Sequence, residues 1–345
     1  MKRSLQREFI CLLLVALIFP VSCSTPPPAR PAKTKKTITF ISNTASDFWK
    51  IVRKGCEKAD AELPDVEVAF KTPFTGTAKD QDKLLRDALD RDTDAVAISP
   101  VDPAAQKKII NEAASRVPVI TQDSDAPDTN RLFYLGADNL AAGKQAGELL
   151  KKALPQGGKI MVLVGNKDVQ NAKERFEGLK QSVQGSKVEI IDLMTDDNDH
   201  SKAKDNATEA MEKHPDLAGL VGLWSYNGPA ILQAVTNAKM IGKVKIIAFD
   251  DEADTLDGIK SGAITATVAQ QPFEYGYQAI QLLAKILKGD KSVIPADKKI
   301  LIPTIIVQKT NLDEFRNKMS KLLSNAPASN SPGPAAKPAA TAARK

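Results

Sequence analysis

Thr37 to Leu63 reads TITFISNTASDFWKIVRKGCEKADAEL. Its opening, Ile38–Ser42, is a β-branched apolar run of strand length, too short for a helix. Polar residues follow, and Ser46 or Asp47 is a natural N-cap for the next segment. From Phe48 the buried positions recur at Ile51, Val52, Gly55 and Ala59, the spacing of one helix face. Strand, polar turn and amphipathic helix make one βα unit. Repeated, such units give a parallel sheet covered on both faces, with ligands beyond the carboxyl ends of the strands.

The unit does repeat. Further strand-length runs fall at 66–70, 95–99, 117–121 and 132–135, and a second series at 159–164, 188–194, 219–224, 245–249 and 264–269. Amphipathic segments at 47–63, 80–90, 139–154, 172–183 and 201–213 separate most of them. Two series in tandem predict an α/β chain of two doubly wound parallel-sheet lobes.

The flanks read differently. Met1–Arg7 is basic and Phe9–Phe19 is apolar and uncharged, shorter than the about 20 residues a spanning helix needs. This is the pattern of a signal peptide. It ends Pro20-Val21-Ser22-Cys23, which resembles the lipobox of bacterial lipoproteins with Pro20 where Leu is usual. Cys23 is the expected lipidation site; the alternative is a spare thiol beside an ordinary cleavage site. Residues 24–36, STPPPARPAKTKK, have the composition of a linker, and 324–345 that of a disordered tail. Cys56 alone is left in the body, so no disulfide framework exists there, and its place on the helix stripe predicts a buried, inert thiol.

The net charge of +6 is misleading until it is located. Residues 1–36 hold seven Lys/Arg and one Glu, and 324–345 hold three Lys/Arg and no acid, which leaves −3 for 37–323. A nucleic-acid footprint needs basic residues clustered on a folded face, so that class is excluded.

The strand ends carry the candidate site. Phe48 and Trp49 open the first helix, Phe48 within its buried stripe and Trp49 at its edge; either could be core or a flat surface for a ligand ring. Asp123 follows Ile120-Thr121-Gln122 and is either a turn residue or a bidentate acceptor. Arg175 stands near a helix start, where the dipole opposes a cation, so ligand oxygens or a salt bridge must hold it. Asn227 and Asp250 are caps or ligand contacts, and Gln270 closes the last strand of the series. These groups suit recognition, and no nucleophile–base pair is among them.

In order and spacing, SDFWKIVRKGCEKA, DAVAISPVDP, VPVITQDSD, LGADNLAAGKQAGELL, NAKERFEGL, IIAFDDEAD and ATVAQQP resemble the ribose/galactose-type periplasmic binding proteins of ABC transporters, over about residues 37–310. The resemblance implies the type I fold, with lobes of 37–137 plus 271–301 and 138–270 plus 302–323 joined by a three-stranded hinge. It implies a sugar or polyol sandwiched by Phe48 and Trp49. Asp123 would bind its hydroxyls from the first lobe, and Arg175, Asn227, Asp250 and Gln270 from the second. It also implies a monomer that delivers the ligand to a permease from the periplasm or outer membrane face, with no cofactor and no metal. Three positions depart from the ribose binders. Ser124 stands for Arg, and Ser46 for Asn, although Asn43 can reach inward. The loop Thr195–His200 stands where they have an aromatic, and reads as a solvated acidic loop or a contact for a further hydroxyl, an amine or a metal.

Two rival classes are weighed. No Gly-x-Ser-x-Gly elbow, Walker loop or dinucleotide fingerprint supports an enzyme. A ligand-sensing module presenting a sugar to a receptor or histidine kinase shares every feature above.

Overall fold

The computed structural model describes residues 33–324, so the expected signal peptide with Cys23, most of the expected linker and nearly all of the expected C-terminal tail lie outside the described residues. Among the described residues twelve strands form two sheets of six. The first contains β1 (Lys36–Ile41), β2 (Val66–Lys71), β3 (Ala95–Ile98), β4 (Val119–Gln122), β5 (Tyr134–Gly136) and β11 (Lys299–Leu301). Its order is β11-β5-β4-β3-β1-β2, parallel throughout. The second contains β6 (Gly158–Val164), β7 (Val188–Thr195), β8 (Leu217–Gly222), β9 (Lys245–Phe249), β10 (Ala266–Ala269) and β12 (Ile305–Val307). Its order is β12-β10-β9-β8-β6-β7.

One strand departs from the all-parallel expectation: β12 runs antiparallel to β10. It enters the second sheet directly from β11 of the first through Ile302–Thr304, so its direction follows from that passage between lobes and not from a helical crossover within its own sheet.

Helices α1 (Asp47–Glu62), α2 (Ala78–Asp90), α3 (Lys107–Arg116) and α9 (Pro272–Leu287) belong with the first sheet. Helices α4 (Asn139–Ala153), α5 (Gln170–Val183), α6 (His200–Lys213), α7 (Asn227–Asn237), α8 (Ala253–Ser261) and α10 (Leu312–Ser324) belong with the second. Each sheet is buried on both faces, with Ile38, Phe40 and Ile120 against α1 and α9, and Ile41, Val96 and Ile98 against α2 and α3. That double burial is why the strands read as unbroken apolar runs. The result is two α/β lobes between which the chain passes three times, after β5, after β10 and between β11 and β12.

In each lobe one helix pair approaches on glycine. A Cβ on Gly55 would lie 2.0 Å from Phe273 O and one on Gly276 2.0 Å from Val52 O, so α1 and α9 are in backbone contact. A Cβ on Gly143 would lie 2.0 Å from Arg175 O, and one on Gly178 2.1 Å from Leu140 O, which sets α5 against α4. Only glycine allows such distances. These crossings fix the helices that carry Phe48 and Arg175 to the ends of the strands. Among the described residues no helix is long and apolar enough to cross a membrane.

Candidate functional site: a polar cavity between the lobes

Loop and helix starts from both lobes converge on a cavity of about 40 Å³, room for roughly three waters. The first lobe supplies Asn43, Thr44, Ser46, Phe48 and Asp123; the second supplies Asn171, Arg175, Trp224, Ser225, Tyr226, Asp250 and Gln270.

Asp123 and Asp250 take matching positions, one residue past β4 and β9, and both adopt left-handed backbone, with φ of 60° and 66°. That conformation is tolerated by Asp and held by the surrounding fold. At Asp123 the carboxylate Oδ2 accepts from Ser99 Oγ (2.8 Å), Asn43 Nδ2 (3.3 Å) and, across the lobes, Asn171 Nδ2 (3.4 Å). Burial pushes this carboxyl up to about 6, against the opposing pull of Arg175. Asp250 is also raised by burial and lowered by Arg175; its Oδ1 accepts from Gln270 N (3.2 Å) and Nε2 (3.0 Å). It caps no helix: the N-cap of α8 is Glu252.

Arg175 is 1% exposed. Its Nε donates to Asn139 Oδ1 (2.9 Å) and Nη1 to Leu223 O (2.8 Å), and its guanidinium lies 4.7 Å from the Phe249 ring centroid. Nη2 has no protein partner. Its sequence neighbour Glu174 makes no salt bridge with it; that carboxylate accepts from Gln170. Gln270 is held through Tyr275, whose hydroxyl donates to Oε1 (3.1 Å).

Two expected contacts sit elsewhere. Trp49 is buried among Phe40, Phe48 and Val52 and does not line the cavity. Its indole N–H donates to Asn43 Oδ1 (2.9 Å) and Thr44 Oγ1 (3.1 Å), so it sets the Asn43 side chain. The cause is the helix face: Trp49, Val52 and Cys56 share the stripe turned to the sheet, while Phe48 meets the cavity. Asn227, fully buried, is likewise outside the lining. Its Oδ1 accepts from Trp224 N (3.0 Å) and its Nδ2 donates to Asp196 Oδ2 (3.0 Å).

The loop Thr195–His200 is not simply solvated. Asp197 is exposed and Asp199 caps α6, but Asp196 is fully buried. Asp196 Oδ1 accepts from Tyr226 Oη (2.5 Å) and Asn198 N (3.0 Å), and burial raises this carboxyl to about 6. Among the described residues no cluster of His, Cys, Asp and Glu could hold a metal ion.

Sequence reading missed Thr44, Asn171, Trp224, Ser225 and Tyr226. The signal was available, because Trp224-Ser225-Tyr226 begins two residues past the end of a strand. Counting the apolar run through Trp224 hid it, whereas β8 stops at Gly222.

Charged acceptors, an arginine fork and aromatic walls, contributed by both lobes to one cavity, define a two-lobed solute binder. The chain belongs to the periplasmic binding protein family: the family model described as "Periplasmic binding protein domain" matches residues 38–291. That is a family of solute-binding proteins acting outside the cytoplasm. The ribose import binding protein of Haemophilus influenzae is 28% identical over 277 residues, covering 78% of this chain and 92% of that protein. Among solved structures, an ABC transporter solute-binding protein from Burkholderia graminis in complex with D-arabinose aligns with a TM-score of 0.77 at 27% identity, over 81% of this chain and 98% of that one. The XylFII molecule aligns with a TM-score of 0.74 at 30% identity, over 80% and 99%.

Proposed function

We propose that the protein captures a monosaccharide or similar polyol and delivers it to the permease of an ABC transporter. The observation that carries this is the split of the cavity's polar groups. Asp123 comes from one lobe, and Arg175, Asp250 and Gln270 come from the other. Two carboxylates and one guanidinium suit the vicinal hydroxyls of a neutral ligand, each carboxylate accepting a pair of charge-assisted hydrogen bonds. The names of the similar proteins, ribose import and D-arabinose complex among them, support the same substrate class.

Binding acts by hinge closure between lobes of 37–137 plus 271–301 and 138–270 plus 302–323. The cavity is too small and its groups too buried for a ligand to enter without the lobes parting, so the ligand shifts an open–closed equilibrium. Phe48 supplies an apolar face for the sugar ring, and Asn43 and Ser46 complete the first-lobe contacts. The chain works as a monomer, held at the outer membrane face by a lipid on Cys23. The second reading, a ligand-sensing module that presents the sugar to a receptor or histidine kinase, draws its support from the likeness to XylFII as seen in the XylFII–LytSN complex. Co-purification with permease subunits separates the two.

The test is a thermal-shift screen of pentoses, hexoses, deoxy sugars and cyclitols, since a ligand at 100 times its Kd stabilises by about 2.7 kcal/mol. Stabilisation by at least one sugar or polyol is expected. No response across the panel, with amino acids or nucleosides giving one, overturns the reading.

A further inference from the structure

The loop between β7 and α6 makes an approach to the first lobe that the cavity does not account for. Its tip, Asn198, is not among the residues that line the cavity. A Cβ built on Gly76, in the turn between β2 and α2, would lie 3.8 Å from Asn198 Nδ2, 3.6 Å from Asn43 O and 3.7 Å from Thr44 Cγ2. The Asn198 amide of the second lobe thus stands over the bare backbone of Gly76, beside the segment that carries Asn43 and Thr44 to the cavity. Gly76 is buried although Thr75 and Thr77 on either side of it are exposed.

The tip is held out by its own lobe. Asp197 and Asn198 both adopt left-handed backbone, with φ of 56° and 66°. Asn198 N donates to Asp196 Oδ1 (3.0 Å), Asp197 N to Gly165 O (2.9 Å) and Asp199 N to Asp196 O (3.0 Å). The Asp196 carboxylate is itself tied to Tyr226 and Asn227. A turn pinned at so many points moves with the second lobe, so Asn198 reaches Gly76 only when the lobes come together. Its Oδ1 is buried there with no hydrogen-bond partner among the described residues. An unpaired buried acceptor costs free energy, which keeps the contact weak enough to reopen.

We propose that Asn198 is a closure contact: it docks over the turn at Gly76 when the lobes meet, and lengthens the stay of a captured ligand without touching it. This rests on the hinge-closure reading and adds to it a residue outside the cavity. A contact made only in the closed state shifts the open–closed population, and appears in the rate of release rather than of capture.

Asn198→Gly deletes the side chain and keeps the left-handed backbone without strain; dichroism melts confirm that the variant folds. Release is measured by stopped flow, through Trp224 fluorescence, with the tightest binder among D-ribose, D-allose, L-arabinose and D-galactose. It should be at least about threefold faster in the variant, with association changed by less than about twofold. A second arm needs no ligand. Thr75→Cys and Asp197→Cys place thiols at exposed positions flanking the contact, to be bridged by a short bismaleimide and mapped by peptide mass spectrometry. The 75–197 link should form without sugar, and at least about threefold more slowly once Asn198→Gly is added. Unchanged release in the folded variant, no link at all, or equal linking rates with and without the Asn198 side chain overturns the closure contact while leaving sugar binding intact. If none of the sugars binds, the sugar-binding reading fails, and the linking rates still decide the contact.

Discussion

Asp123 shows how the site trades stability for recognition. Its carboxyl sits near 6 in the folded protein against an ordinary 3.8, because burial penalises the charged form. Between those two values the folded chain keeps a proton that the unfolded chain has released. Stability therefore falls as pH rises through that window, and remains lower by about 3 kcal/mol above it. Asp123→Asn removes the cost. The ligand-free variant should melt a few degrees above wild type at pH 7.5, with the gap closing towards pH 4, as followed by calorimetric or dichroism melts. The same variant should bind ligand at least about 100-fold more weakly, since hydroxyl donors lose a charged acceptor; wild-type affinity in the variant would remove Asp123 from the site. Arg175 makes a complementary case. Its Nε and Nη1 are taken by Asn139 and Leu223, and Nη2 is left for the cavity. Lysine keeps the charge but not the fork. Arg175→Lys is expected to lose about 100-fold in affinity by calorimetry, and a loss under threefold would mean the fork does not touch ligand.

At the scale of elements, the helix pairs that carry the site depend on backbone contact. Arg175 O lies where a Cβ on Gly143 would be, so Gly143→Ala must push α5 away from α4. Overpacking of this kind typically costs about 1–3 kcal/mol. It should also shift Arg175 and lower affinity, although Gly143 touches no ligand. Parallel melting and binding measurements check this: a variant with wild-type values for both would show that the pair repacks freely. Gly55 and Gly276 play the same part for α1 and α9 beneath Phe48. Within α1, the stripe of Phe48, Val52 and Ala59 was legible from spacing. Trp49 was not, because a residue 100° from the stripe centre can face either the sheet or the cleft. Its packing on Phe40 and its bond to Asn43 decided the matter.

For the whole molecule, closure is the property on which capture depends. The described arrangement already joins the lobes through Asn171 and Asp123, and Asn139 lies 3.5 Å from Asp123 O. These bonds must break for a ligand to enter. Small-angle scattering should therefore show a larger radius of gyration without ligand than with a saturating one. No change with a tightly bound ligand would sink the hinge.

The order of apolar runs and amphipathic segments determined two α/β lobes by itself, because strands buried on both faces must be apolar throughout and their covering helices must carry stripes. Asp123, Asp250 and Gln270 were legible as candidates too, since in such sheets polar residues just past the strands face the crevice, and Arg175 was legible as a cation near a helix start, where the dipole opposes it. What only the tertiary structure decided is which neighbours turn inward. Left-handed backbone at Asp123 and Asp250 breaks the alternation that a strand pattern assumes. The buried bond from Tyr226 to Asp196 joins residues 30 positions apart, so no local spacing announces it. A solvated-looking acidic loop and an aromatic assigned to a strand end thus become one wall of the cavity, through contacts that exist only once the lobe has folded.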